Sequence, residues 1–108
     1  MKELNNDIYY LNKLKSDLDF ITNNMRGISI QEFEENGILK DAMLFKIIQV
    51  DEDNQHLAPE FKSLNKNIAW EQMHEMRNLL EFNYEELNLN KAYEMLTVLI
   101  PELLEIVK

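Results

Sequence analysis

Arg77 and Tyr84 are the residues whose types and spacing offer this 108-residue chain the most chemistry. In the run Arg77-Asn78-Leu79-Leu80-Glu81-Phe82-Asn83-Tyr84, the guanidinium presents a rigid fork of donors to a phosphate or carboxylate. The phenol offers a hydroxyl at or just past a helix end. Trp70, His74, Arg77 and Glu81 recur at three- and four-residue steps, so one helical stripe holds an aromatic ring, an imidazole, a guanidinium and a carboxylate. A purely structural alternative pairs Arg77 with Glu81 or Glu52, places Trp70 and Phe82 in the core and uses Tyr84 to cap the packing.

Other chemistries have no residues to carry them. The chain has no cysteine, which removes disulfides, thiolate metal sites and a cysteine nucleophile, and His56 and His74 are its only imidazoles. No His-x-x-x-His pair, phosphate-binding glycine loop, dinucleotide turn or serine elbow occurs. His56 stands just before Pro59, where an exposed position without a function is expected. With 11 Lys and Arg against 20 Asp and Glu, the formal charge is −9. Such a chain is repelled by phosphate backbones, which disfavours broad RNA or DNA binding but not a small local site. No apolar stretch approaches the ~18 to 20 residues of a bilayer crossing, and the opening Met1-Lys2-Glu3-Leu4-Asn5-Asn6 lacks the apolar run of a signal peptide. A cytoplasmic protein of one domain, with no membrane association, is the expectation.

The elements that position these residues are helices. Gly and Pro occur only twice each, and 45% of the residues are apolar, which favours long helices over hairpins. Leu4, Ile8, Leu11, Leu14, Leu18, Ile21 and Met25 mark one face of a first helix over Glu3 to Arg26, with Gly27 at its C-terminal cap. Ser29 and Glu32 are spaced as a capping box for a second helix, which Gly37 bends or interrupts. Beyond Gly37, Ile38, Ala42, Phe45 and Ile48, flanked by Leu39, Met43, Leu44, Ile47 and Val50, make a run apolar on most sides. That seam puts Glu52 on the inward side, unless the helix is ending there and the carboxylate is wet. Pro59 opens a short helical piece over Glu60 to Leu64, and Asn65 to Asn67 connect it to an amphipathic helix from Ile68 carrying Ala69, Met73, Met76 and Leu80. Asn90 is the expected N-cap of a last helix, which Pro101 should kink.

Trp70, then Met76-Arg77-Asn78-Leu79-Leu80, then Tyr84, then Pro101-Glu102-Leu103 resembles the HepT-like family of HEPN domains. The likeness extends through Tyr10-Leu11, Ser29 to Phe33, Asp41-Ala42 and Leu57 to Phe61, and so covers the chain from about Asp7 to Val107. It implies an all-α, up-and-down four-helix bundle with a short extra helix, usually homodimeric. It implies the toxin half of a toxin-antitoxin pair whose antitoxin is a minimal nucleotidyltransferase. Active members are endoribonucleases that need no metal or other cofactor. Their motif is Arg, four residues, His, one residue, Tyr, facing a cleft at the dimer interface, and in related systems the partner transfers AMP from ATP onto the tyrosine.

Carried over residue by residue, Arg77 takes the arginine place, Tyr84 the tyrosine place, and Phe82 the histidine place. A phenyl ring has no proton to exchange, so the ~10² to 10⁴ that general acid or base catalysis contributes must come from another group or be absent. His74 is the nearby substitute, three residues before Arg77 on the same stripe. The family's helix-two glutamate place is Glu52, flanked here by Asp51 and Asp53, and it would orient Arg77 if the two approach; Asn78 completes the supporting set. Two enzyme-side readings follow: a toxin component with Tyr84 as AMP acceptor, and a ribonuclease working through Arg77 with His74 or water as proton carrier. The alternative from another class is a noncatalytic substrate-binding or regulatory subunit of a nucleotidyltransferase, its groove lined by Trp70, Met73, Arg77 and Tyr84 and mildly favouring cationic ligands.

Overall fold

Apolar residues at three- and four-residue steps wind this chain into helices, and the breaks fall at Gly, Asn and Pro. The computed structural model describes residues 2–108, with side chains from residue 8 onward, and contains no strand among them. Its helices are α1 (Lys2–Met25), α2 (Ile30–Glu35), α3 (Gly37–Gln55), α4 (Pro59–Leu64), α5 (Trp70–Phe82), α6 (Leu89–Glu94) and α7 (Ile100–Val107), with a 3-10 turn over Tyr84–Glu86 and a π turn over Met95–Leu99. The side chain of Leu4, expected on the apolar face of α1, lies outside the described residues.

Local chemistry accounts for the boundaries. Gly27 adopts a left-handed φ of 74° directly after α1, a conformation glycine reaches without steric cost. The Ser29 hydroxyl accepts from the Glu32 amide at 3.1 Å while the Glu32 carboxylate accepts from the Ser29 amide at 3.0 Å, the reciprocal box expected there. Gly37 does interrupt the second helix: Asn36 ends α2 and starts α3, its side chain accepting from the Leu39 amide at 3.0 Å. Helix α5 begins at Trp70, two residues later than its apolar pattern suggests, because Ala69, with φ −82° and ψ 55°, is outside the helical region and serves as its N-cap. The last helix starts at Leu89. Its cap is Asn88, not Asn90, since the Asn88 side chain accepts from the Lys91 amide at 3.2 Å and this register sends Ala92 and Leu96 fully into the core.

Pro101 is accommodated by the turn before it. From Leu89 to Val107 the chain stays helical, but Met95–Leu99 is wound as a π turn in which the Ile100 amide donates to the Met95 carbonyl, five residues back. One extra residue in the turn relieves the collision of a proline ring with the preceding turn and moves the adjustment upstream of the proline itself.

The four long segments pack as an all-α up-and-down bundle, with α1 against α3 on one side and the last helix on the other, and α3 against α5. Neighbours run antiparallel: Lys13 meets Asp53 and Asp17 meets Lys46 across α1 and α3, while Asn54 meets Met73 across α3 and α5. Leu14, Leu18, Ile21, Phe33, Met43, Ile47, Val50, Met73, Leu96, Ile100 and Leu103 fill the core. The inward face of α3 is therefore Met43, Ile47, Val50 and Asn54. Ile38, 87% exposed, and Phe45, 58% exposed, point away from it, so the expected seam through Ile38, Phe45 and Ile48 lies about half a turn from the observed one. A helix apolar on most sides offers two stripes, and the core takes the one continuous with Leu14, Leu18 and Ile21 of α1.

A four-membered charge lattice crosses the α1–α3 seam. Lys13 donates to Asp17 at 3.1 Å and to Asp53 at 3.0 Å, and Lys46 donates to Asp17 at 3.0 Å. Asp53 is fully buried, and burial together with the adjacent Asp17 carboxylate pushes it up to about 7 against the opposing pull of Lys13. Burial alone would raise Asp17 as well, but hydrogen bonds from Asp53, Lys46 and Lys13 hold it below its ordinary value. Burial likewise works against the charged Lys13, and its bonds to Asp53 and Asp17 outweigh that and raise it. Between about pH 4 and 7 the folded protein keeps a proton on Asp53 that the unfolded chain has released, so this group makes stability fall as pH rises through that interval. Asp53→Asn, which fixes the neutral form, is expected to melt above the wild type at pH 8, with the gap narrowing by pH 5. Thermal melts followed by circular dichroism at both pH values check this, and a gap that does not change with pH would refute it.

Candidate active site

Helix α5 lays its polar stripe along α3, and one carboxylate organises it. Asp51 is fully buried. Its Oδ2 accepts from His74 Nδ1 at 2.9 Å and lies 3.6 Å from Arg77 Nε, while its Oδ1 lies 3.4 Å from the Gln55 amide nitrogen. An isolated buried carboxylate is strongly disfavoured, so the imidazole donor and the guanidinium beside it are what allow an acid at this depth. The arginine fork is shared further: Nη1 donates to the Asn78 side chain at 2.8 Å, and Nε also lies 3.9 Å from Glu81. Arg77 remains 22% exposed and His74 41% exposed at their side chains. Both are thus anchored at the inner end and reachable from solvent at the outer.

Toward the C-terminal end of α5 the seam turns apolar. Leu80, Tyr84, Leu44, Phe45, Ile48 and Asp41 line a shallow depression of about 420 Å³. Tyr84 sits on the 3-10 turn and is half-exposed, and Phe82 at the end of α5 is exposed. Arg77 and Tyr84 consequently share the α3-facing side of α5, one over the carboxylate and the other over the apolar shelf.

Several sequence expectations are corrected here. Glu52 does not point inward or meet Arg77; it is exposed and its carboxylate faces His56 at 3.3 Å. The acid beside Arg77 is Asp51, one residue earlier, because the core register of α3 rotates Asp51 onto α5 and Glu52 into water. Phe82 fills no core. Trp70 and Met73 do not line a groove with Arg77 and Tyr84: Met73 is buried against the Asn54 amide at 3.4 Å, and Trp70 packs edge-on to Phe61 with its indole nitrogen donating to the Asn65 carbonyl at 3.0 Å. His56 is not merely exposed; its ring stacks on Tyr10 with centroids 4.0 Å apart and planes 5° from parallel. The signal that could have found Asp51 is its spacing from Ile47, Leu44 and Met43, four, seven and eight residues back on the stripe that proves buried. Among the described residues no cluster of three His, Asp or Glu side chains is arranged to hold a metal ion.

Comparison with known proteins places this geometry. Residues 14–108 match a family described as "Ribonuclease HepT-like". Over 99 residues, 92% of this chain and 88% of the other, the chain is 26% identical to a protein named "Putative RNase" in Caldanaerobacter subterraneus subsp. tengcongensis. It is 27% identical over 96 residues to a "Gamma-glutamylcyclotransferase and putative RNase" of Methanocaldococcus jannaschii, spanning 89% of this chain but 43% of that longer protein. No solved structure gives a significant match.

The register of α3 can be tested by two neighbouring acids. Asp51→Ala removes the buried partner of His74 and Arg77 and is expected to destabilise the fold by about 1 to 3 kcal/mol. Glu52→Ala touches only an exposed contact and should stay within about 0.5 kcal/mol of the wild type. Urea unfolding of both variants decides, and equal losses would contradict the observed register.

Proposed function

We propose, from the premise that this chain belongs to the HepT-like ribonuclease family, that it is the toxin component of a toxin-antitoxin pair, directed at RNA and partnered by a minimal nucleotidyltransferase. The observation that carries the reading is the Arg77 guanidinium, fastened by Nε to a fully buried carboxylate while part of its fork stays open to solvent. Held this way the side chain loses little freedom on meeting a phosphate, and its remaining donors match the oxygens of a phosphodiester. A developing negative charge on the phosphorus oxygens would be stabilised without a metal. Tyr84 supports the second half of the reading, because its position on a half-exposed turn makes its hydroxyl an accessible acceptor for AMP.

The same face supports self-association. Phe45, Ile48, Phe82 and Tyr84 leave apolar surface around the seam, and a second copy laid across it would bring two Arg77 residues to one cleft. Phe45→Glu is expected to shift a dimer to monomer in sedimentation experiments, and a wild type that sediments as a monomer at all concentrations would remove this part. The noncatalytic reading draws support from Phe82 alone, at the family's histidine place.

Purified protein in EDTA is expected to cleave single-stranded RNA, and Arg77→Ala to lose that cleavage. Incubation with a minimal nucleotidyltransferase, ATP and magnesium should add the mass of AMP to the wild type but not to Tyr84→Phe. An inert wild type that is never modified would leave the binding-subunit reading in place of this one.

A further inference from the structure

Phe82 leaves the proposed reaction without the histidine that relatives use, and the structure contains one imidazole built into the same seam. We propose that His74, oriented by the buried Asp51 carboxylate, is the proton carrier for RNA cleavage in this chain; the inference rests on the ribonuclease reading above.

The geometry has three parts. Asp51 is fully buried and its Oδ2 lies 2.9 Å from His74 Nδ1. A carboxylate can only accept, so Nδ1 carries the hydrogen and Nε2 is left with its lone pair on the exposed side of the ring. The Gln55 amide, at 3.4 Å from Nδ1, is the more distant neighbour. Second, Arg77 shares the same carboxylate oxygen. Residues three apart on a helix hold their Cβ atoms about 5 to 6 Å from each other, the scale of one phosphodiester and the ribose hydroxyl beside it. Third, neither side chain needs to move far, since Asp51 fixes the inner nitrogen of each. Asp51 is a positioning residue and His74 the catalytic one.

The chemistry closes without a metal or co-reactant. His74 Nε2 takes the proton of the ribose 2′-hydroxyl as the 2′-oxygen bonds to phosphorus, and the bond from phosphorus to the 5′-oxygen breaks. The departing 5′-oxygen takes a proton from water, and the imidazolium returns its proton to solvent. Arg77 bears the charge that builds on the non-bridging oxygens. The products are a 2′,3′-cyclic phosphate and a 5′-hydroxyl end.

The test compares wild type, Arg77→Ala, His74→Gln and Asp51→Asn on single-stranded RNA in EDTA, with end-group analysis, alongside nitrogen-15 NMR of the neutral His74 ring. His74→Gln, at a half-exposed site, should keep the fold and lose about 10² to 10⁴ in rate. Asp51→Asn should lose about tenfold or more, and its His74 should depart from the Nδ1–H tautomer that the wild type is expected to show. Wild-type cleavage that Arg77→Ala abolishes and His74→Gln preserves would overturn this inference while sparing the ribonuclease reading. An inert wild type would overturn both. An Nε2–H tautomer in the wild type, or products with 3′-hydroxyl ends, would overturn the inference alone.

Discussion

A carboxylate with no exposed surface must find donors, and Asp51 faces the His74 imidazole and the Arg77 guanidinium on one neighbouring helix. Burying an ion costs several kcal/mol even after the surroundings relax, so the pairing is a condition on how α5 lies against α3 and not an ornament to it. His74 and Arg77 are a single turn apart. Only one rotation of α5 lets both reach the same oxygen, and that rotation also carries Leu80 inward and Tyr84 over the apolar shelf of α3. The placement of every polar group in the candidate site therefore follows from a single buried charge.

Three consecutive acids on α3 show how finely that helix partitions its surroundings. Asp51 serves α5, Glu52 meets solvent and His56, and Asp53 turns to Lys13 and Asp17 of α1. Successive residues on a helix point about 100° apart, so three neighbours sample three directions. Two of the three acids thus serve one flanking helix each while the inward stripe of Met43, Ile47 and Val50 stays apolar. The two contacts differ in kind. The α1 lattice holds two lysines against two carboxylates and keeps a proton in reserve on Asp53, whereas the α5 contact spends one carboxylate on two side chains that still reach water.

The helices themselves were legible because caps and breakers are local. Ser29 with Glu32, Asn36 before Gly37, and Gly27 after Met25 each act within a few residues. The stripe of Trp70, His74, Arg77 and Glu81 could be read the same way. What could not be read was which side of α3 faces inward, because Phe45 and Ile38 are as apolar as Met43 and Ile47. From that ambiguity came the inward placement of Glu52. Asn88 and Asn90 were equally good caps by type; long-range packing of Ala92 and Leu96 chose between them.

Net charge sets the remaining constraint on the proposed reaction. A chain of charge −9 repels a polyanion at long range, so affinity for RNA has to arise within a few ångströms of the guanidinium, where Asp51 and Glu81 already offset part of its charge. One protomer supplies few phosphate contacts. On the proposed reading a second copy doubles them and covers Phe45 and Phe82, lowering the local dielectric around the guanidinium and strengthening its contact with phosphate. The apolar shelf and the charged seam then act together, since the surface that joins two chains is the one that makes a small cationic site sufficient.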